Sequence, residues 1–168
     1  MDQDLYDESL SVKEKRGTAL LVYAILSWVW IGIMLLIQLP NMFGGKMSAE
    51  EFNEYKYTAL KPINEDTPEV FINIIKQSIE MAEIQNENFW MISLVSLLHL
   101  VIGFLAVFMM FKLKKNGYYL YILYTLVPII LTLLMYPMNT LSLFAIIWNA
   151  VIGGVFVLLY GLQLKRMS

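Results

Sequence analysis

The stretch that decides the fold is residues 116–164, NGYYLYILYTLVPIILTLLMYPMNTLSLFAIIWNAVIGGVFVLLYGLQL, which runs for 49 residues without one Asp, Glu, Lys or Arg. A single helical crossing of a hydrocarbon core needs about 20 apolar residues, so this stretch holds two. The break falls at MYPMNTLS, where Pro137 and Asn139 favour a turn and Asn139 or Thr140 can cap a new helix. Spans over 117–136 and 141–162 follow, joined by a turn at 137–140.

Working outward, two more charge-free runs precede it, 17–45 and 88–111. The first gives a span over 18–39, expected to stop at Pro40 with the chain leaving through Gly44 and Gly45. The second gives a span over 89–111, and the five residues 112–116 (KLKKN) form a turn tight enough to make its neighbours antiparallel. All 26 charged residues of the 168 lie outside these runs, and charged residues make up only 15% of the chain. An ordinary soluble domain has about 25%. The fold class expected is an all-α integral membrane protein, a four-transmembrane-helix bundle forming one membrane domain, with an extracytoplasmic amphipathic helix between spans one and two.

Orientation follows from where Lys and Arg fall. Lys13, Lys15 and Arg16, then Lys112, Lys114 and Lys115, then Lys165 and Arg166 flank the spans on one side, against Lys46, Lys56, Lys61 and Lys76 in the long loop. Both termini are therefore expected in the cytoplasm, as a 1–16 arm, flexible or surface-bound, and a 163–168 tail. Tyr23, Tyr118, Tyr119, Tyr121 and Tyr160 at the inner ends and Phe89, Trp90 and Tyr136 at the outer ones fit the same map. The acidic first sixteen residues and the long apolar run after them read as a permanent anchor rather than a cleaved signal peptide.

The loop over 43–88 contains two helix signals. Ser48 with Glu51 three residues on is a capping box opening a helix over 49–57. Thr67 as N-cap with Pro68 at the first helical position opens one over 68–84. In the second, Val70, Phe71, Ile74, Ile75, Ile79 and Ala82 recur at helical spacing, with Lys76, Gln77, Glu80 and Glu83 on other faces. Such a helix lies on the membrane surface or packs across the outer end of the bundle, and nothing between Glu83 and Trp90 prevents it running into span two.

Chemistry is sparse. The chain has no cysteine, and no carboxylate inside the charge-free runs from which to build a general base or metal site. It lacks H-E-x-x-H and G-x-S-x-G. No catalytic residue, metal or cofactor is expected, and a net charge of −2 gives no footprint for nucleic acid.

The conventional titratable group near mid-membrane is His99, about 15 Å below the outer end of its span at 1.5 Å per residue. Asn149, Thr125 and Ser27 fall near the same level, so the four are expected to form a polar layer, with His99 and Asn149 satisfying one another. Pro128 leaves the carbonyl of Tyr124 without its helical amide, an acceptor in that layer. The layer serves either as interhelical glue or as a solute path.

Gly103, Gly153 and the small-xxx-small pair Ala150 and Gly154 are candidate helix-packing positions. Trp28 and Trp30 sit deeper than the interfacial belt and either pack inside or offer a flat face to lipid, a quinone-like molecule or another subunit. Lys112, Lys114, Lys115, Tyr118 and Tyr119 are candidate lipid-headgroup contacts, and the same residues also set topology and anchor depth.

Over FMMFKLKKNGYYLYILYTLVPII, residues 108–130, the chain resembles small uncharacterised four-span inner-membrane proteins of Bacteroidetes-type bacteria, in which a lysine-rich turn, a glycine and tyrosines open a span. The resemblance implies a bacterial cytoplasmic (inner) membrane location and carries no activity or site residue with it. The expected partners are membrane lipid and a larger membrane-protein assembly or homo-oligomer. The expected role is a noncatalytic accessory subunit, the alternatives being a small transporter or channel, or a lipid- or quinone-binding module.

Overall fold

The computed structural model describes residues 2–168, with side chains from Gly17 onward. The 1–16 arm expected from sequence falls outside the described side chains. Six α-helices follow in order, α1 (Asp2–Gly44), α2 (Ala49–Leu60), α3 (Glu69–Glu87), α4 (Phe89–Phe111), α5 (Asn116–Met135) and α6 (Thr140–Gly161), before a short 3-10 turn at Leu164–Arg166. No strand occurs among the described residues. Gly17–Gly44 of α1, α4, α5 and the stretch Thr140–Arg166 are each long and apolar enough to cross a bilayer, which makes this a multi-pass membrane protein.

The spans pack in the order α1, α4, α5, α6, with α1 and α6 meeting where Tyr23 and Ser27 reach Tyr160. Burial is uneven along the helices. Leu20, Ala24, Val107, Met110 and Tyr160 are essentially inaccessible and cluster towards the end that carries the α4–α5 turn. There the α4 and α5 backbones approach closely, since a Cβ on Gly117 would lie 2.6 Å from both the Ala106 carbonyl oxygen and the Met110 nitrogen. The outward faces are covered by large apolar side chains such as Leu36, Leu98, Leu134 and Leu158, as lipid contact requires.

Several boundaries differ from the sequence reading, each for a local reason. Pro40 does not stop the first span: α1 runs on to Gly44, and Gly45 at φ +80° ends it. Pro40 withholds only the amide that would meet the Leu36 carbonyl, one lost hydrogen bond in an otherwise continuous helix, so the positive-φ glycine supplies the stop. At the other end α1 bends at Gly17, whose φ of +69° only glycine adopts cheaply.

In the loop, the Ser48 and Glu51 capping box forms as expected and α2 runs three residues further, to Leu60. Thr67 does not cap α3, because its hydroxyl is engaged by Asn64: it donates to Asn64 Oδ1 and accepts from the Asn64 amide, leaving Pro68 as the cap. Nor is α3 continuous with α4. Asn88, at φ −100° and ψ 25°, separates them, and its side-chain amide donates to the Ile84 carbonyl.

Helix α3 packs across the end of the bundle opposite the α4–α5 turn. Glu83 pairs with Lys56 of α2 at 3.2 Å, Asn86 exchanges hydrogen bonds with both backbone groups of Met47, and Gln77 Oε1 accepts from the Leu141 amide at the start of α6. Ile74, Ile75, Ile79 and Ala82 are half-buried, whereas Val70 and Phe71 stay 67% and 60% exposed.

Candidate functional site

The polar groups of the spans form two interhelical clasps, built on different residues from those expected to meet. The first begins with Pro128. Lacking an amide hydrogen, it leaves the Tyr124 carbonyl of α5 unpaired one turn back. His99 of α4 supplies the missing donor, its Nε2 lying 2.9 Å from that oxygen. Because a carbonyl only accepts, Nε2 carries the hydrogen.

The same two residues also stack, with ring centroids 4.3 Å apart and planes within 7°. One turn along α4, Gly103 leaves space for the Tyr124 ring, whose Cε2 would come 2.5 Å from a Cβ placed there. His99 and Gly103, four residues apart on one face, thus form a seat for a single tyrosine of α5. One turn further on, the Thr132 hydroxyl donates to the Pro128 carbonyl of its own helix at 2.8 Å.

The second clasp joins α1 to α6. Ser27 Oγ and Tyr160 Oη share a hydrogen bond of 3.0 Å in the buried interior. Tyr121 of α5 leans on Tyr160 with ring centroids 4.9 Å apart, and Tyr23 meets Tyr160 edge-on at 5.9 Å. Tyr121 also touches Tyr124, centroids 5.3 Å apart, so an aromatic chain links the two clasps through the bundle.

The four-residue layer read from sequence does not assemble. Asn149 donates Nδ2 to the Ala145 carbonyl of its own helix at 2.8 Å, and Thr125 donates to the Ile122 carbonyl at 2.8 Å. Both are satisfied by carbonyls one turn back, which are always within reach, so neither needs His99. Tyr121 and Tyr160, expected as interfacial anchors, are core residues, and Tyr124 is buried beside them. The signal available in sequence was Pro128, which identified the Tyr124 carbonyl but not the stacking ring.

The packing positions divide. Gly103 faces Tyr124, and Gly153 faces Thr125, whose Cβ and Cγ2 would lie 3.0 Å from an added Cβ. Gly154 meets nothing within 4 Å and Ala150 is exposed, so that pair does not pack within this chain. One residue around a helix turns the side chain by roughly 100°, which separates Gly153 from Gly154. Trp28 packs inward against Phe111 and Phe104, with centroids at 5.2 and 6.1 Å, while Trp30 is 49% exposed.

At the turn end, Lys112, Lys114, Lys115 and Tyr119 are exposed and Tyr118 is half-buried beside Gly161. The described residues contain no group of three or more His, Asp or Glu suited to hold a metal. In comparisons with known proteins, no protein family, curated protein or solved structure matches the chain.

Proposed function

We propose that the protein is a noncatalytic accessory or structural subunit of a bacterial inner-membrane assembly, with both termini in the cytoplasm and α2 and α3 on the opposite side. The observation that carries this reading is the use of the polar groups inside the spans. His99, Ser27, Thr125 and Asn149 each spend a hydrogen bond on the helices themselves, His99 and Ser27 between helices and Thr125 and Asn149 within one. Groups so engaged fix helix geometry rather than relay a solute. The extramembrane helix α3 is held rigidly by its contacts with α2 and α6 while presenting Val70 and Phe71 outward, an arrangement suited to positioning another protein.

The test is purification of the full chain from its native membrane in mild detergent. A stoichiometric partner protein, lost on the double substitution Val70→Glu and Phe71→Glu, is the expected result. Recovery of a stable, isolated monomer would contradict the proposal.

One observation favours a transporter or channel as second reading: His99, near the middle of α4, is only partly buried. Proton or solute flux in reconstituted vesicles, lost on His99→Ala, would support it, and a flux-free vesicle would dismiss it.

A further inference from the structure

Five cationic side chains from two separate segments are gathered at one end of the bundle. Lys112, Lys114 and Lys115 belong to the α4–α5 turn, Lys165 and Arg166 to the short turn after α6. Main-chain hydrogen bonds bring the segments together. Ser168 N donates to the Leu113 carbonyl at 2.8 Å, and Lys115 N donates to the Ser168 carbonyl at 3.1 Å. Leu113 turns to φ +60° to make this pairing, and its side chain and that of Met167 are buried beneath it. Arg166 is held as well, because its guanidinium lies against Gly17, where a Cβ would collide with it.

Among the residues whose side chains are described, no Asp or Glu offsets this group, the carboxylates of Asp2, Asp4, Asp7, Glu8 and Glu14 lying outside them. The sequence has no Asp or Glu after Glu87 and none between Gly17 and Gly45. Among the described residues the ion pair is Lys56 with Glu83, in the α2–α3 region away from this turn. Holding like charges together raises their energy unless an anion joins them. The adjoining surface is apolar: Leu158 and Leu162, on the last turns of α6 beside the cations, are 71% and 74% exposed. A cationic cap continuous with an apolar wall matches an amphiphile, with Tyr119 exposed at the level between them.

We propose that this end of the bundle binds the phosphate headgroup of an anionic phospholipid, with the C-terminal residues 165–168 completing a site that the turn lysines begin. The site does not depend on the subunit reading, since it needs no protein partner.

The full chain is reconstituted in nanodiscs of phosphatidylcholine containing a minority of phosphatidylglycerol, and lipid retained by the released protein is measured by native mass spectrometry. Phosphatidylglycerol should be enriched over its share of the bilayer. Lys114→Gln, Lys115→Gln and Lys165→Gln should each lower the enrichment about fivefold, the worth of one cation near a charged surface. The control triple substitution Lys46→Gln, Lys61→Gln and Lys76→Gln, which removes three charges from the loop against one in each site variant, should leave it unchanged. Raising salt should reduce enrichment in the unsubstituted protein, a readout independent of whether a variant folds. No enrichment, or an equal loss in the loop variant, would overturn the site. Displacement by equimolar inorganic phosphate would overturn the lipid and point to a free phosphate species.

Discussion

His99 of α4 donates through Nε2 to the main-chain carbonyl of Tyr124 on α5 at 2.9 Å and lies flat against that residue's ring, centroids 4.3 Å apart. Lipid offers no hydrogen-bond donor, so a carbonyl left open by proline must be covered from within the protein. A neighbouring helix carries the donor here, which makes a helix defect the means of joining two helices.

Gly103 and Gly154 should respond oppositely to the same change. Gly103→Ala drives a methyl group into the Tyr124 ring and should destabilise the protein by about 1–3 kcal/mol, the usual cost of overpacking. Gly154→Ala meets nothing within 4 Å and should be neutral or stabilising by up to about 1 kcal/mol through helix propensity. Unfolding of the purified variants in mixed detergent micelles measures both.

Tyr160→Phe removes one of the two tyrosine hydroxyls that the buried Ser27 hydroxyl meets, Tyr121 being the other, and should cost about 1 kcal/mol. Ser27→Ala should cost a similar amount. The double variant, with neither hydroxyl of the Ser27 and Tyr160 pair left to satisfy, should be more stable than the sum of the two losses implies, a non-additivity read from the same unfolding assay.

The start of α2 should depend on pH. The Ser48 amide donates to Glu51 at 2.7 Å and the Ser48 hydroxyl adds to the effect, so the Glu51 carboxyl is held below its usual pKa. A lowered folded pKa means the contribution to helix stability is complete above the ordinary glutamate range and is lost as pH falls through the lowered value. An NMR titration of the Glu51 side chain should show a midpoint below that of the same residue in an unstructured peptide, and Ser48→Ala should return it upward.

The spans were legible because their signals are local. Charge-free runs, the Asn139 cap and the Ser48 capping box act within one helix or turn, and each forms. Pairings between helices were legible only where the backbone forces them. Pro128 must expose the Tyr124 carbonyl whatever surrounds it, so an acceptor could be placed. That His99 covers it while Asn149 turns back to Ala145 depends on helix rotation, which four similar apolar helices do not encode in any one residue. Tyr121 and Tyr160 depart from the interfacial expectation for the same reason: a tyrosine suits an interface and a core that supplies a contact for its hydroxyl equally well.

The most direct measurement is a double-mutant cycle on His99 and Pro128. His99→Phe keeps a ring against Tyr124 but removes the donor, and should cost about 1–2 kcal/mol in the native sequence. Pro128→Ala restores the amide that can cover the Tyr124 carbonyl, so His99→Phe should cost clearly less in that background. Equal costs of His99→Phe in both backgrounds would mean that the histidine does not serve the carbonyl opened by the proline, and would contradict the account.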